Sequence, residues 1–333
     1  MSRPDPTDAR QVNWTQYEPG QQAGHYESFY LRGNHPDRPL AFWFRYTIFA
    51  PTGRPADALG ELWAVVFDGE TGHHTSTKVE VPFAGCSFSR TGFDVRVADA
   101  TLSASALKGT AGEIAWDLTY TGDEPPLYLL QPRLYKGGFP PAKSLVALPL
   151  ARFTGRVTVA GREIAVDGWA GSQNHNWGSR HTDRYWFGQV AGFDEAPGSF
   201  LEVATARNRV GPLWMPAVTP LVLRHRGRQL ALTSILTATR AKATMSTTAG
   251  SAAWAFSTGA GPIRITGRIE APADAFVLLE YPNPPGGLKY CLNTKLAACE
   301  LVISDESTGE REVLRSAHGA LFEVLDDVDP RTR

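Results

Sequence analysis

The chain has 333 residues, which is enough for two domains of ordinary size. Hydrophobic residues make up 42% of it and charged residues 20%, a balance typical of globular proteins and not of disordered chains. The formal net charge is −1, and no segment concentrates Lys or Arg with interleaved aromatic residues. Nucleic acid is therefore not an expected partner.

Residues 1–23 are polar and rich in Pro, Asp and Gln, so they predict a flexible N-terminal arm and not a secretion signal. No run reaches the roughly 18 apolar residues that a membrane helix requires. We expect a cytoplasmic protein with no transmembrane segment, and peripheral contact with a membrane stays open. The three cysteines, Cys86, Cys291 and Cys299, are odd in number and lack metal-type spacing, so buried reduced thiols are expected.

Short runs rich in Val, Ile, Phe, Tyr and Trp, separated by many of the 32 glycines and 24 prolines, predict strands and turns. Val157–Val166 reads as a hairpin around the turn Ala160-Gly161-Arg162. Short helices are expected only in a few places, such as Asp57–Gly60 and Ala317–Val324. The other predicted strands are Phe42–Phe49, Glu61–Phe67, Arg184–Phe193, Phe200–Ala206, Pro262–Ile269, Ala275–Tyr281 and Leu301–Ser304.

Strands at such regular spacing, without alternating helices, predict an all-β fold of antiparallel barrels or sandwiches. The segment Leu127–Pro149 is rich in Pro and Gly, has no strong strand pattern and is expected to connect two units. The predicted division is therefore an N-terminal domain at 24–155, a C-terminal domain at 156–325 and a tail at 326–333.

A weak internal repeat supports two related halves. In the first half His25-Tyr26-Glu27-Ser28 precedes an aromatic strand and then a strand with one acid. In the second half His175-Asn176-Trp177-Gly178 precedes the same order of elements. The repeat predicts that both halves use one architecture.

The densest polar and aromatic cluster of the sequence runs from Gly171 to His181. If it is a strand, His175 and Trp177 share one face, which places a proton-transfer group beside a π surface. The alternative is a core Trp with a hydrogen-bonded His. His181 follows among Arg180 and other charged residues, so a polar loop is the expected place for it.

Glu202 is the second candidate for chemistry. Strand alternation places Phe200, Glu202, Ala204 and Ala206 on one face. An inward face would desolvate the carboxylate, raise its pKa and keep it protonated as a general acid requires. An outward face would make Glu202 an ordinary surface charge.

Several aromatic and polar residues are candidate walls of an enclosed pocket, with plain core packing as the alternative for each aromatic. Tyr185, Phe187 and Gln189 share one face of their strand, and Trp186 lies on the other. The first half offers Glu27 with His25, and Trp43, Tyr46 and Trp63.

Other chemistries are not supported by the sequence. It has no Gly-rich phosphate loop after a strand and no Gly-x-Ser-x-Gly nucleophile frame. His73 and His74 would point to opposite faces of a strand, so they are not expected to share a metal with His25 or His35. We expect neither a cofactor nor a metal.

The motif His25-Tyr26-Glu27-Ser28 resembles the first strand of the carotenoid 1,2-hydratase (hydroxyneurosporene synthase) and AttH-like superfamily. Asn174-His175-Asn176-Trp177-Gly178 resembles that superfamily's Asp-His-x-Trp-Gly signature. The superfamily has a fold of two tandem lipocalin-like barrels, related to tocopherol cyclases and fungal lipocalin-like Diels–Alderases. The resemblance covers residues 24 to 325 in architecture and these short motifs in sequence.

In the hydratases, catalysis depends on that His and Trp with a downstream Tyr-x-Asp pair. The matching place here holds Phe200-Leu201-Glu202, and Asn174 stands where the signature has an acid. The resemblance implies a cofactor-free hydratase or cyclase that protonates a C=C bond of an unsaturated, isoprenoid- or polyene-like substrate. His175, Trp177 and Glu202 would be catalytic. The substrate-binding residues would be Glu27, Trp43, Trp63, Tyr185, Trp186, Gln189 and Phe200.

Two other functions stay open. A non-catalytic lipocalin-like protein would carry a hydrophobic metabolite and use the His-Trp motif as a structural lock. A pericyclase would fold a polyene by shape alone, so it would tolerate the loss of the Glu202 carboxyl.

Overall fold

The structure is a computed structural model that describes residues 3–248 and 250–332, and strands dominate both stretches. The all-β expectation is therefore confirmed. The strands of the first sheet are β1 (His25–Asn34), β2 (Leu40–Ala50), β3 (Leu59–Asp68), β4 (Thr75–Pro82), β5 (Ser87–Phe88), β6 (Asp94–Val97), β7 (Ala100–Ser103), β8 (Ala106–Ala111), β9 (Ile114–Thr121), β10 (Leu127–Tyr128), β11 (Ala142–Val159) and β12 (Arg162–Gly178).

The remaining strands form a second large sheet and one small hairpin, β15 with β16. They are β13 (Arg184–Ala191), β14 (Phe200–Arg207), β15 (Arg209–Val210), β16 (Leu213–Trp214), β17 (Leu221–His225), β18 (Arg228–Leu232), β19 (Lys242–Thr247), β20 (Ser251–Ala260), β21 (Ile263–Pro272), β22 (Val277–Pro282), β23 (Leu288–Asp305) and β24 (Arg311–Asp326). The α-helix found in the described residues is α1 (Ile235–Arg240), and single 3-10 turns occur at Pro55–Asp57, Phe83–Gly85, Pro132–Tyr135, Ala273–Ala275 and Pro330–Thr332.

Both large sheets are antiparallel and each encloses its own core. The first runs in the order β4-β3-β2-β1-β12-β11-β9-β8-β7-β6-β5, and the second in the order β18-β17-β14-β13-β24-β23-β21-β20-β19. Phe29, Phe44 and Trp116 pack in the first core. Trp254 and Phe322 pack in the second. This arrangement of two curled sheets matches the predicted pair of barrels or sandwiches.

A third apolar cluster lies between the two sheets. All ten residues of β1 are buried, because one face of this strand packs into the first core and the other packs against the second sheet. Trp43 and Phe67 of the first sheet meet Phe187 and Leu321 of the second in this cluster. A strand that is buried on both faces loses the polar–apolar alternation of a half-buried strand.

The structure confirms the predicted hairpin and corrects two other expectations. β11 and β12 join at Ala160 and Gly161, whose φ angles of 49° and 81° are those that a tight two-residue hairpin turn requires. The expected connector Leu127–Pro149 is wrong from Ala142 onward, because β11 begins at that residue. The expected helix at Ala317–Val324 is also wrong, since it lies inside β24 and pairs with β23.

The predicted division at residue 155 falls inside β11. The chain passes from the first sheet to the second after β12, which ends at Gly178. The proposed domain boundaries therefore stay a prediction. The segment before β1 packs against the first sheet, whereas a flexible arm was expected there. Its residues Val12, Thr15 and Tyr17 are buried. We find no helix in the described parts of the chain with the length and apolarity needed to span a bilayer.

The glycines that flank the His-Trp motif have a steric role. A Cβ at Gly171 would lie 1.8 Å from the backbone oxygen of Arg32, and a Cβ at Gly178 would lie 2.1 Å from that of Pro141. Both distances are far below van der Waals contact. The glycines therefore let the neighbouring chain approach β12 closely at each end of the motif.

Candidate active site

A cavity of about 210 Å³ lies between the two sheets. Strand alternation aims Tyr26 and Tyr30 of β1 into it from the first sheet, with Trp43 and Arg45 of β2 beside them. The second sheet and the loops complete a largely apolar and aromatic wall. The other lining residues are Leu129, Leu130, Pro140, Ala142, Lys143, Ser144, Asn176, His181, Thr182, Tyr185, Phe187, Ala204, Ala206, Asn208, Val218, Pro220, Tyr281 and Glu323.

His181 lies in the connection after β12 and is 7% exposed. Its ring stacks on Tyr26 with centroids 4.0 Å apart, and Tyr281 follows at 5.8 Å. Burial, with the positive charges of Arg45 and Lys289 nearby, lowers the pKa of His181 to about 3. The imidazole is therefore neutral at physiological pH, and it is a weak base that can take a proton only from a strongly acidic group.

Glu323 and Tyr185 bring a buried ionised cluster to the cavity wall. The Tyr185 hydroxyl donates to Glu323 Oε2 at 3.2 Å, while Asn293 donates to Oε1 at 2.8 Å. Lys295 Nζ lies 3.2 Å from the same carboxylate and also bonds to Asn293. Burial lowers the pKa of Lys295 to about 8, although the negative charge of Glu323 favours its protonated form.

Glu202 lies on β14, on the same strand face as Ala204 of the cavity wall, and opposite Gln189 of β13. It is fully buried, and neither carboxyl oxygen has a hydrogen-bond partner in the described chain. Burial raises the pKa of Glu202 to about 8, although Gln189 and Arg32 nearby favour its charged form. Of the two alternatives for this strand face, the structure has the inward one. The role of Glu202 as an uncharged acid stays a prediction.

Gln189 belongs to a polar network that joins the two sheets. Its side-chain oxygen accepts from Arg32 at 2.8 Å and from Ser172 at 2.7 Å. Its amide nitrogen donates to Asn174 Oδ1 at 2.9 Å. The carboxyl group of Glu202 lies beside this network, with Gln189 as its polar neighbour on β13.

His175 has no place in the cavity wall. It lies on the other face of β12, stacked on Phe29 of the first core at 4.3 Å. Its Nε2 donates to Glu27 Oε1 at 2.8 Å, and its Nδ1 donates to the carbonyl of Val12 at 2.7 Å. A ring that donates from both nitrogens is an imidazolium. The sheet itself separates it from Glu202.

Glu27 binds the N-terminal segment to β1. Its carboxylate accepts from the backbone nitrogens of Gln16 and Tyr17 at 2.7 and 2.8 Å, and from His25 at 3.0 Å. Burial alone would raise its pKa, but the hydrogen bonds from His175 and His25 hold it at about 2. Glu27 and His175 therefore form a charged lock under the segment.

The structure divides the predicted site residues into those at the cavity and those elsewhere. Trp43 and Tyr185 line it, and Trp63 packs edge-on against Tyr281 with centroids 5.6 Å apart. Phe200 packs in the cluster between the sheets, beside the cavity. Trp186 lies on the opposite strand face, 6.5 Å from Trp254 in the second core.

Two further predicted residues also lie away from the cavity. Trp177 packs on His175 at 4.6 Å and on Tyr135 at 6.0 Å, in a small cluster that includes Val12. Tyr46 donates to the carbonyl of Thr101 in the first sheet.

Three of the polar residues that line the cavity were missed by sequence reasoning, namely Arg45, His181 and Glu323. Arg45 shares a face with Trp43 in the predicted strand Phe42–Phe49, so alternation was a usable signal for it. His181 was expected in a polar loop, and its burial depends on Tyr281, a hundred residues away. Glu323 fell in the expected helix and had no signal of its own.

No three His, Cys, Asp or Glu side chains within the described ranges come together in a way that could hold a metal ion. His73 is exposed, and His74 packs on Phe67 with ring centroids 5.4 Å apart. The three cysteines are free, with Cys291 and Cys299 buried and Cys86 partly buried.

Comparison with known structures supports the architecture described above. An AttH-like protein from Nitrosomonas europaea aligns with a TM-score of 0.60 and 14% identity, over 98% of this chain and 99% of that one. Kievitone hydratase from Nectria haematococca aligns with a TM-score of 0.59 and 10% identity, over 98% and 96%. The protein CghA aligns with a TM-score of 0.56 and 12% identity, over 99% and 97%.

Comparison with curated sequences gives one uncharacterized Mycobacterium tuberculosis protein, found in two strains. It is 26% identical over 300 residues, which covers 87% of this chain and 86% of the relative. No family model matches the chain. This chain has the lipocalin-like fold of AttH-type proteins. The narrower resemblance to carotenoid hydratases stays a prediction.

Proposed function

We propose that this protein is a hydratase or cyclase that acts on an unsaturated hydrophobic molecule held between its two sheets. The observation that carries the proposal is the pairing of an uncharged carboxyl group and a neutral imidazole with one aromatic cavity. Glu202 supplies the first and His181 the second. Such a pair of opposed acid and base is what protonation of a C=C bond and deprotonation of water require.

In this proposal the Glu202 carboxyl and the His181 imidazole lie toward different ends of the cavity. Tyr26 and Tyr30 are four residues apart on β1, which separates them by about 13 Å along the strand. His181 stacks on Tyr26. Tyr30 lies toward Glu202, since Glu202 is one of the carboxyl groups close enough to act on its phenol, whose pKa is raised above all by burial. In this proposal Tyr30 is the group through which the proton of Glu202 reaches the ligand.

The proposed hydration is balanced in protons and bonds. One alkene carbon takes the proton, and the other forms a bond to a water oxygen while His181 accepts the proton that this water loses. Trp43 and Phe187 place π surfaces beside the developing positive charge, which an aromatic face stabilises by about 0.5–2 kcal/mol. In a cyclisation, a nucleophilic group of the ligand replaces the water.

The proposal is tested with a lipid-soluble extract of the host cell, incubated separately with wild type, Glu202→Gln and His181→Phe. We expect wild type to convert a component into a product that is heavier by one water, or of equal mass after cyclisation. Both variants should bind the unconverted component. Trp186→Phe is the matched control, because Trp186 faces the second core, and it should behave as wild type.

One observation favours a carrier as the second candidate. His175 and Trp177 hold the N-terminal segment and do not line the cavity, as a purely structural motif would. A carrier returns its ligand unchanged from wild type and from both variants. That result in the mass comparison would remove the catalytic proposal.

A further inference from the structure

Arg45 is a buried cation at the cavity for which the proposed chemistry has no use. It is 5% exposed and lies on β2, on the face that meets the second sheet. Its Nε donates to Ser28 Oγ at 2.8 Å. Its guanidinium carbon lies 4.4 Å from the ring centroid of Tyr281 and 5.9 Å from that of Trp43.

The guanidinium of Arg45 forms no ion pair with any carboxylate of residues 3–248 or 250–332, and no hydrogen bond of its two terminal nitrogens is found there. Two other buried arginines differ in this respect. Arg224 pairs with Glu124 at 2.9 Å, and Arg32 donates to four oxygens at 2.8 to 3.2 Å. A buried charge without a partner costs several kcal/mol, so a structure seldom keeps one without a use for it.

The carboxylates that influence Arg45 are already bound to other groups. Glu61 pairs with Lys78 at 2.9 Å. Glu323 accepts bonds from Tyr185, Asn293 and Lys295. Stacking on aromatic rings compensates part of the charge but satisfies none of the N–H donors at the end of the side chain.

The charges around the cavity leave room for an anion. Arg45 and Lys143 are the basic side chains of the cavity wall, and Glu323 is its carboxylate, which pairs with Lys295 behind the wall at 3.2 Å. Glu202 is uncharged at neutral pH because burial raises its pKa to about 8. His181 is neutral as well. A negative charge at Arg45 would therefore reduce the positive excess of this site.

We propose that the molecule bound between the sheets carries an acidic oxygen, such as a carboxylate, an enolate or a phenolate, and that Arg45 binds this oxygen. This inference rests on the proposed function and narrows its substrate class. The fork of N–H donors on a guanidinium fits two oxygens, or one oxygen with developing charge, better than any other side chain does. Arg45 thereby fixes the polar end of the ligand while its apolar part lies on Trp43 and Phe187.

A pair of fluorescent probes tests the inference without knowledge of the natural ligand. 1-Anilinonaphthalene-8-sulfonate and N-phenyl-1-naphthylamine share one apolar framework and differ by a single acidic group. We expect wild type to bind the sulfonate at least about tenfold more tightly, since hydrogen bonds to charged groups are the stronger ones. Titration of both probes into wild type gives this ratio directly.

Arg45→Met should remove the preference, because it should lower the affinity for the sulfonate probe about tenfold or more and leave the affinity for the neutral probe unchanged. Arg45→Lys should keep part of the preference. Arg224→Met is the matched control, because this arginine is already paired and lies away from the cavity, and it should keep the wild-type ratio.

The outcomes separate this inference from the proposed function. Equal affinity of wild type for the two probes would overturn the role of Arg45 and leave an apolar cavity able to serve the proposed reaction. If wild type binds neither probe, the cavity does not accept an apolar molecule, and both proposals fail. Should Arg45→Met not fold, the wild-type ratio and the Arg45→Lys variant still decide the question.

Discussion

Glu202 combines full burial with two unpartnered oxygens, and this combination links its protonation to stability. Its pKa is raised to about 8 in the folded chain from an ordinary value of 4.5. Between these values the folded protein holds a proton that the unfolded chain has released. Stability must therefore fall as the pH rises from about 4.5 to about 8.

Glu202→Gln should abolish this pH dependence, because the amide stays neutral at every pH. The free energy of unfolding of the variant minus that of wild type should rise by on the order of 4 kcal/mol between pH of about 5 and about 8.5. Urea unfolding at the two pH values measures the change. Glu270→Gln, at an exposed position of β21, should show no such rise, and a pH-independent difference for Glu202→Gln would contradict the buried acid.

The N-terminal segment shows how one residue can anchor an element. Glu27 accepts from four donors, two of them backbone nitrogens of that segment. Glu27→Gln offers an amide group to donors and removes the charge opposite His175. We expect a loss of about 3–5 kcal/mol of stability and faster hydrogen exchange at the amides of Gln16 and Tyr17.

Asp8→Asn is the control for this prediction, since Asp8 lies in the same segment and makes a surface pair with Arg10 at 2.8 Å. It should leave the free energy of unfolding nearly unchanged, because solvent screens an exposed ion pair. Unchanged exchange at Gln16 and Tyr17 in Glu27→Gln would mean that packing of Tyr17, and not the charged lock, holds the segment.

Elements were predictable from the sequence wherever one local rule decided them. The Val157–Val166 hairpin depends on its own turn. Alternation along one strand grouped Glu202 with Phe200 and Ala204, although it left open whether that face is inward. β1 shows the limit, because both of its faces are buried and alternation cannot tell which one meets the cavity. The partners of His175 also escaped prediction, since Val12 and Glu27 come from segments far away in the chain.

The same limit applies to the candidate site as a whole. Trp43 and Tyr185 were predicted because aromatic residues on alternating positions indicate a wall. His181 and Glu323 were missed because their burial arises only when the second sheet closes on the first. Side chains at an interface between sheets carry no periodic signal that distinguishes them from side chains of either core.

At the scale of the whole molecule, the two sheets share one interface of apolar packing and buried polar bonds. Arg32 of β1 donates to the side-chain oxygen of Gln189 at 2.8 Å, to its backbone oxygen at 3.2 Å and to the carbonyl of Gly319 at 3.1 Å. If the sheets separated, the apolar cluster between them would be exposed to water. The N–H donors of Arg32 and the oxygens that accept from them would also lose their partners.

We therefore expect wild type to unfold in one cooperative transition, with calorimetric and van't Hoff enthalpies in a ratio near one. Arg32→Met leaves the side-chain oxygen of Asn34 without its donor and removes one of the two donors to the side-chain oxygen of Gln189. It should lower the stability of the whole chain by about 3 kcal/mol or more and keep the single transition. Arg264→Met, at an exposed position of β21, should leave the transition unmoved. Two separate heat-absorption peaks in wild type would show that the sheets fold independently, and the cavity would then lie between two loosely joined units.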